Sequence, residues 1–178
     1  LRPAVAQDPG NLRARALLAS AYLRMLESSP RDAATFVILN RLLKDEPSPN
    51  AVPVELVVAR AEYLRMLWRT DEARELLEWV LKSRSTAELQ FQYALTCFDQ
   101  SNTEKGFVAL SSAIQLRANP RYLMVQYMKF RRHHRFPLAR KTAEMLMALH
   151  PAFGSGRLAW AEVLLDEGKA VEAVPLLR

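Results

Sequence analysis

Cysteine and glycine are scarce in this chain of 178 residues, and long apolar runs are missing from it. The single cysteine, Cys97, excludes an internal disulfide framework and a metal site built from several thiolates. No apolar run reaches the roughly 18 residues that a membrane-spanning helix requires, so we predict no membrane span in this segment. The sequence also lacks a glycine-rich phosphate loop and a recognisable catalytic set. We therefore predict neither an enzyme nor a cofactor-binding protein.

Half of the residues are apolar and a quarter are charged, which suffices for a sizeable core. The formal net charge is +6. A surplus of this size favours acidic partners, and it is equally consistent with a role in solubility alone. The first residues carry no secretory signal pattern. Both ends of the sequence fall inside helical patterns, which is typical of a fragment of a longer repeat protein.

A spacing of 33 or 34 residues recurs along the chain in four columns. Self-similarity at this period predicts an array of helix–turn–helix units. The first column lies early in the second helix of each helix–turn–helix unit. The second column lies twelve residues before the first column, and the third column lies three residues after the second column. The fourth column lies four residues after the first column. In that order the columns are Ala73, Gly106, Ala139, Ala173; Ala61, Ala94, Tyr127, Ala161; Leu64, Cys97, Phe130, Leu164; and Leu77, Leu110, Ala143, Leu177.

We predict an all-α fold, a right-handed superhelical solenoid of antiparallel helix pairs that forms one domain over residues 1–178. The 3.6-residue periodicity gives each repeat a first helix, helix A, and a second helix, helix B. Ser29 is the predicted N-cap of helix B in repeat one, the turn 69–71 offers a cap in repeat two, and the prolines of residues 47–53 predict a loop. About five repeats result, of which the last is truncated: 12–46, 54–86, 87–118, 120–151 and 154–178.

These columns resemble the pattern of the tetratricopeptide repeat superfamily. That pattern places a small residue in helix A, a large residue three positions later, an alanine early in helix B and a proline after it. Pro9, Pro120 and Pro151 are the prolines that follow helix B in this sequence. Tyr127 departs from the pattern, because it is a large residue at the small position of helix A. The resemblance implies a scaffold that presents its surface to a partner protein and carries no chemistry of its own.

Seven residues on helix A of repeats two to four are predicted to face a groove, because their positions relative to the small column point away from helix B. A groove of this apolar character suits an amphipathic helix or an extended apolar peptide. The alternative is that a neighbouring segment of the same protein covers it. The groove lacks the lysine and asparagine with which chaperone-adaptor repeats grip a terminal carboxylate. The predicted partner-binding residues are Arg65, Met66, Phe91, Leu95, Phe98, Met124 and Met128.

A basic cluster, Arg131, Arg132 and Arg135, closes helix A of repeat four. One interpretation is that these cations complement the negative end of the helix. The other is a docking patch for an acidic protein, a phosphate or an anionic lipid surface. His133 and His134 point about 100° apart on a helix and have no evident third ligand, so we predict no metal site there.

Two tryptophans fall outside the apolar stripes of their helices. Trp68 occupies the turn between helices A and B of repeat two, where a glycine is easier to accommodate, as Gly168 does in repeat five. Trp79 lies off the inner stripe of helix B. Exposed tryptophans are enriched at interfaces, and packing between repeats explains their presence equally well.

The predicted function is a non-catalytic protein–protein interaction scaffold whose partner is another protein of the same assembly. The preference for arginine and the low asparagine content are typical of a GC-rich bacterial genome. By analogy we favour an envelope machine, with exopolysaccharide secretion first, and the periplasm over the cytoplasm. The alternative is a helical repeat that binds nucleic acid or polysaccharide. Carboxylates such as Glu62, Asp99 and Glu162 interrupt the groove and disfavour nucleic acid.

Overall fold

A computed structural model describes residues 2–28, 32–43 and 52–177. Throughout these residues the regular elements are helices, with no strand among them. The chain divides into two compact units, Leu1–Ala109 and Leu110–Arg178, and the division falls within the seventh helix, α7 (Thr103–Leu116). None of the described helices is both long enough and apolar enough to cross a membrane.

Among its described residues the first unit contains six complete helices, of which α2 to α6 build its core. α2 packs against α3 and α4, α4 packs against α5 and α6, and α5 packs against α6. Leu39, Leu56 and Leu77 are fully buried in this core together with the alanines of the small column. The helices are α1 (Arg2–Gln7), α2 (Leu12–Ser28), α3 (Ala33–Leu42), α4 (Val54–Met66), α5 (Thr70–Leu81) and α6 (Ala87–Asp99).

The second unit contains the end of α7 and four further α-helices. α8 packs against α9 and α10, α9 packs against α10, and α10 packs against α11 and the short 3-10 helix that follows. Leu123, Tyr127 and Leu146 are fully buried. The helices are α8 (Pro120–Arg132), α9 (Phe136–Leu149), α10 (Gly154–Asp166), α11 (Ala170–Ala173) and the 3-10 helix Val174–Leu177.

The prediction of an all-α fold of tandem helix pairs is confirmed, because every regular element among the described residues is helical and α2 to α11 follow one another there as five pairs. Pro137 lies in the first turn of α9, where its missing N–H costs no hydrogen bond. Pro175 lies beyond α11, where the α-helix gives way to the 3-10 helix. Since it follows five residues after Ala170, it ends the α-helix and does not open it. Handedness and the single domain over residues 1–178 stay predictions.

One predicted helix cap is wrong, and a second lies inside its predicted turn without a side-chain hydrogen bond. Helix α3 begins at Ala33, and its cap is Asp32, whose carboxylate accepts from the backbone N–H of Ala34 at 3.1 Å. The predicted cap Ser29 and the predicted loop 47–51 lie outside the described residues. In repeat two Thr70 is already helical and Arg69 takes the N-cap position without a side-chain cap. The turn before it, 67–69, begins two residues earlier than predicted, for the backbone reason given below.

Candidate partner-binding surface

The turns between helices A and B of repeats two to five have one backbone conformation. In repeat two the N–H of Trp68 donates to the carbonyl of Arg65 at 3.0 Å, and the N–H of Arg69 donates to that of Leu64 at 2.9 Å. This pair of bonds is the Schellman ending of a helix, and it requires a left-handed residue after the C-cap. The same two bonds recur in the other three repeats, and the left-handed residues are Trp68 (φ 61°), Ser101 (φ 60°), His134 (φ 56°) and Gly168 (φ 75°).

The small column brings helices A and B into close contact inside these repeats. Ala61, Ala94 and Ala161 are completely buried. In repeat three a Cβ added to Gly106 would come within 2.7 Å of the Phe98 ring, which shows how near α6 lies to the start of α7. Cys97 is buried in this packing, and burial raises the pKa of its thiol, as expected for a structural cysteine.

Neighbouring repeats are joined by arginine–aspartate pairs at corresponding places. In the first unit Arg65 Nε lies 2.6 Å from Asp99 Oδ2, and Arg65 also donates to the side chain of Gln92 at 3.3 Å. In the second unit Arg131 Nη1 lies 3.0 Å from Asp166 Oδ2. Each arginine follows its small-column residue by four positions, and each aspartate follows that of the next repeat by five. The pairs therefore connect repeat two with repeat three and repeat four with repeat five.

The predicted groove residues differ in exposure. Five of them, from Arg65 to Phe98, lie in the first unit, and Met124 and Met128 lie in the second. Met128 is 49% exposed and presents its side chain to solvent, whereas Arg65, Met66, Leu95, Phe98 and Met124 are half-buried. Phe91 is only 4% exposed. The expectation that its ring lies on a wet face is therefore wrong, because helical spacing alone did not separate groove from core at this position.

The predicted basic cluster is divided between two roles. Arg132 is exposed and Arg135 is half-buried at the N-cap of α9. Arg131 donates to the carboxylates of Glu162 at 3.3 Å and Asp166 at 3.0 Å, so its charge is neutralised within the second unit. The structure brings the acidic end of α10 against it, and its place in a docking patch stays a prediction. Arg132 and Arg135 remain candidates.

Tyr127 connects this arginine to helix α10. Its hydroxyl donates to Glu162 at 2.7 Å and accepts from Arg131 at 3.0 Å, while the ring is buried. Burial, followed by the hydrogen bond to Glu162, raises the pKa of Tyr127 to about 12. The large residue in the small column thus replaces close helix packing with a polar bridge to the next repeat.

Sequence reasoning missed an exposed apolar group at the start of α9. Phe136 is 50% exposed and Leu138 is 44% exposed, with Pro137 exposed between them. A cleft of about 600 Å³ opens beside them, lined by two arginines, an apolar floor and two carboxylates: Arg131, Arg140, Phe136, Pro137, Ala139, Val163, Asp166 and Glu167. The available signal was the run Phe-Pro-Leu at a place where repeats two and three begin helix B with Thr-Asp-Glu and Thr-Glu-Lys.

The described residues hold no group of three or more histidine, cysteine or carboxylate side chains that could bind a metal ion.

Repeated helix pairs with Schellman turns and a buried small column define a tetratricopeptide-type fold. No family model matches the chain, and no curated protein matches it.

Solved structures of this fold are similar to the chain over nearly its full length. A Podosopora anserina putative kinesin light chain with nearly identical TPR-like repeats shares 16% identity at a TM-score of 0.69, over 95% of this chain and 92% of that one. MamA from AMB-1 shares 18% identity at a TM-score of 0.59, over 90% of this chain and 95% of that one. MamA from MSR-1 shares 18% identity at 0.59, over 88% and 91%. At such identities the likeness shows the fold.

Proposed function

We propose that this chain is a non-catalytic scaffold that binds a partner protein through the exposed side chains of its helix pairs. The observation that carries the proposal is the combination of a tetratricopeptide-type fold with large apolar side chains left in solvent. Met128, Trp68 and Phe136 are each about half exposed or more. Exposed aromatic and methionine side chains are the residue types on which protein interfaces concentrate their binding energy.

The similarity to solved structures with TPR-like repeats, together with the charges of the predicted groove, supports a protein partner in preference to nucleic acid. The positive charges nearest the predicted groove are in part neutralised by carboxylates, as the pair of Arg131 with Asp166 illustrates. A nucleic-acid groove needs uninterrupted positive charge with stacking rings. Placement in a bacterial envelope machine for exopolysaccharide secretion, in the periplasm, rests on analogy and stays a prediction.

The proposal is tested by cross-linking the protein in its native cells and identifying the linked proteins by mass spectrometry. The partner found in this way is then purified, and its Kd for the chain is measured. We expect Met128→Ser to weaken binding by about ten-fold, the loss that removal of one interface anchor typically causes.

The matched control is Leu17→Ser, since Leu17 is also 49% exposed but lies on α2, outside the predicted groove. This variant should bind with the wild-type Kd. If no protein is cross-linked, and the chain instead binds single-stranded RNA at micromolar concentration in physiological salt, the scaffold proposal is wrong.

A further inference from the structure

The turn between α8 and α9 differs in composition from the corresponding turns of the other repeats. In repeats two, three and five the first turn of helix B carries at least one acidic residue, which the positive end of a helix stabilises. The first turn of α9 carries none, and its leading residues are Phe136, Pro137 and Leu138. The last turn of α8 holds three basic residues. Repeat four therefore combines apolar and basic side chains at the place where these three repeats have carboxylates.

The apolar side chains of this turn are exposed to solvent. Phe136 is 50% exposed and Leu138 is 44% exposed, with Pro137 exposed between them. The exposed ring of His134 contacts the edge of the Phe136 ring, with the two centroids 5.8 Å apart. Because α8 packs against α9 and only residues 133–135 join them, these side chains lie together at one end of the helix pair. That end presents aromatic and aliphatic surface to solvent.

Basic side chains lie beside this apolar surface. Arg132 is exposed at the end of α8, and Arg135 is half-buried at the N-cap of α9. Lys141 is exposed and follows Leu138 by three positions and Pro137 by four. Residues at these spacings lie on the same side of a helix. The exposed apolar residues therefore have cations on the side of α8 and on the side of α9.

The charge around the turn stays positive when the neighbouring carboxylates are counted. Residues 105–143 contain no aspartate or glutamate. The carboxylates that pair with cations here come from α9 and from α10 with its C-cap: Glu144, Glu162, Asp166 and Glu167. Their partners are Arg131, Arg140 and Lys169. This set has one negative charge in excess, and the two positive charges of Arg132 and Lys141 exceed it even before Arg135 is counted.

From the exposed apolar side chains and the cations beside them we infer that the turn between α8 and α9 binds the surface of an anionic lipid bilayer. Phe136 and Leu138 enter the boundary between headgroups and acyl chains, while Arg132 and Lys141 face the lipid phosphates. Both kinds of residue are needed, because one weak signal alone gives only marginal membrane binding. The inference goes beyond the scaffold function: it places the scaffold on a membrane and leaves Met128 to the partner protein.

The aliphatic residue of the turn favours a bilayer over nucleic acid. A nucleic-acid site stacks bases on planar rings, and Leu138 offers none. The boundary of a bilayer accepts leucine and phenylalanine alike, because burial of apolar surface has no directional requirement. The exposure of Leu138 beside Phe136 is therefore better explained by lipid.

Co-sedimentation with lipid vesicles tests the inference on the full chain. The vesicles are phosphatidylcholine with about 30% phosphatidylglycerol, or phosphatidylcholine alone. We expect the partition coefficient to be at least about ten-fold higher for the anionic vesicles, and to fall as salt is raised from about 0.1 M to about 0.5 M, because salt screens exposed charges.

Apolar variants assign the binding to the turn. The double variant Phe136→Ser with Leu138→Ser should lower the partition coefficient by about ten-fold, because it removes the apolar surface that enters the bilayer. Leu17→Ser, of nearly the same exposure as Phe136, should leave it unchanged. Phe136→Leu should bind like the wild type, since it removes the ring and keeps an apolar side chain. Circular dichroism melting of each variant shows that it folds.

Charge variants test the second part of the signal. Arg132→Ser with Lys141→Ser should lower the partition coefficient by about ten-fold, because each basic residue near an anionic surface adds to binding. The matched control, Arg13→Ser with Lys82→Ser, removes the same charge at exposed positions of the first unit and should change binding less.

A fluorescent label shows whether the turn enters the bilayer. The single cysteine, Cys97, is buried, so a cysteine introduced by Leu138→Cys is the accessible thiol for an environment-sensitive fluorophore. Its emission should shift to the blue when anionic vesicles are added. The same fluorophore attached through Leu17→Cys should show no shift.

The inference is overturned if neutral vesicles bind as well as anionic ones, if the label at residue 138 shows no shift, or if Phe136→Ser with Leu138→Ser binds like the wild type. Tighter binding of oligouridine that Phe136→Leu abolishes overturns it in favour of nucleic acid. Failure of vesicle binding together with an intact, Met128-dependent complex with the cross-linked partner overturns this inference and leaves the scaffold function standing. Vesicle binding without any cross-linked partner supports this inference and counts against the scaffold function.

Discussion

At the scale of single residues, the left-handed turn positions are the places where sequence and backbone conflict. Trp68 has φ 61° and is 88% exposed, so no packing offsets its conformation. We expect Trp68→Gly to raise the free energy of unfolding by roughly 0.5–1 kcal/mol, because glycine takes this conformation without strain. Urea denaturation measures the change. If Trp68 is also an interface anchor, the same variant weakens partner binding while it stabilises the chain.

Two control variants separate backbone strain from loss of the tryptophan. Gly168→Ala should lower the free energy of unfolding by about 1 kcal/mol, since φ is 75° there and an added Cβ would meet no atom within 4 Å. Trp79→Gly, in the last turn of α5, should also destabilise, because glycine is a poor helix former. A stabilising Trp79→Gly would contradict the backbone explanation.

Tyr127 gives the chain a pH dependence in the alkaline range. Its pKa is raised from 10.0 to about 12 by burial and by the hydrogen bond to Glu162. The folded chain therefore holds the phenolic proton more tightly than the unfolded chain. The protonated hydroxyl therefore contributes to the free energy of unfolding. This contribution is present in full below pH 10 and is lost as the pH rises from 10 to about 12. Tyr127→Phe should remove this part of the decrease in the free energy of unfolding between pH 10 and about 12. Urea denaturation midpoints measured across that range show the change. If the midpoints of the variant and the wild type fall equally with pH, the assignment to Tyr127 is wrong.

Residue-level roles were the least accessible to sequence reasoning. The columns correctly identified Ala61, Ala94 and Cys97 as buried, because a helical period reports which face is covered. They could not identify Phe91 as buried or Arg131 as neutralised, because both outcomes depend on side chains that are distant in sequence, such as Glu162 and Asp166 for the arginine.

At the scale of helices, the arginine–aspartate pairs couple one repeat to the next. The Arg65 and Asp99 side chains are 18% and 34% exposed, whereas those of Arg131 and Asp166 are 29% and 51% exposed. We expect a double-mutant cycle of Arg65→Gln and Asp99→Asn to give a coupling energy of about 1 kcal/mol, and the Arg131–Asp166 cycle to give less, because water screens the more exposed pair. Urea denaturation of the four chains in each cycle supplies both values, and the reverse order would contradict this account.

The small column predicts a steric cost at the contact between α6 and its partner helix. Ala94 is completely buried. Ala94→Leu should lower the free energy of unfolding by roughly 1–3 kcal/mol, as overpacking of a close helix contact does. Thermal melting compares this variant with the control Ser101→Leu. Ser101 lies in an exposed turn with a strained backbone, so the larger side chain does not crowd a helix contact there. A neutral Ala94→Leu would mean that the helices do not approach closely there.

Helix positions were predictable to within two or three residues, since apolar periodicity and proline placement define where helices begin and end. The sequence pattern predicts the turn of repeat two at 69–71, whereas the structure ends helix A at Met66 and has the turn at 67–69. The difference arises because Trp68 adopts the left-handed conformation, which amino-acid type at that position does not indicate. Gly168, in the corresponding place of repeat five, carries the signal that Trp68 lacks.

At the scale of the whole molecule, charge is distributed unevenly along the chain. Residues 1–109 hold 14 basic and 14 acidic residues, whereas residues 110–178 hold 11 and 5, so the surplus of +6 belongs to the second stretch. Exposed charges act mainly on the rate of encounter with a partner. The triple variant Arg132→Ser, Arg135→Ser, Lys141→Ser should therefore slow association with the cross-linked partner and reduce its dependence on salt.

The matched control removes the same charge from the balanced stretch, with Arg13→Ser, Arg41→Ser and Lys82→Ser, all at exposed positions. Stopped-flow association at several ionic strengths compares the two triples. We expect the control to change the association rate less than the first triple. Equal effects would mean that net charge, and not its location in the second unit, sets the rate.

The recurring turns also impose a requirement of handedness on the chain. Positive φ at residues 68, 101, 134 and 168 is the conformation that the mirror image of an ordinary amino acid prefers. A chain assembled by chemical ligation could therefore carry D-alanine at each of these places. Such a chain should be more resistant to heat than one with L-alanine there, although the two share every atom type and differ only in the stereochemistry of four carbons.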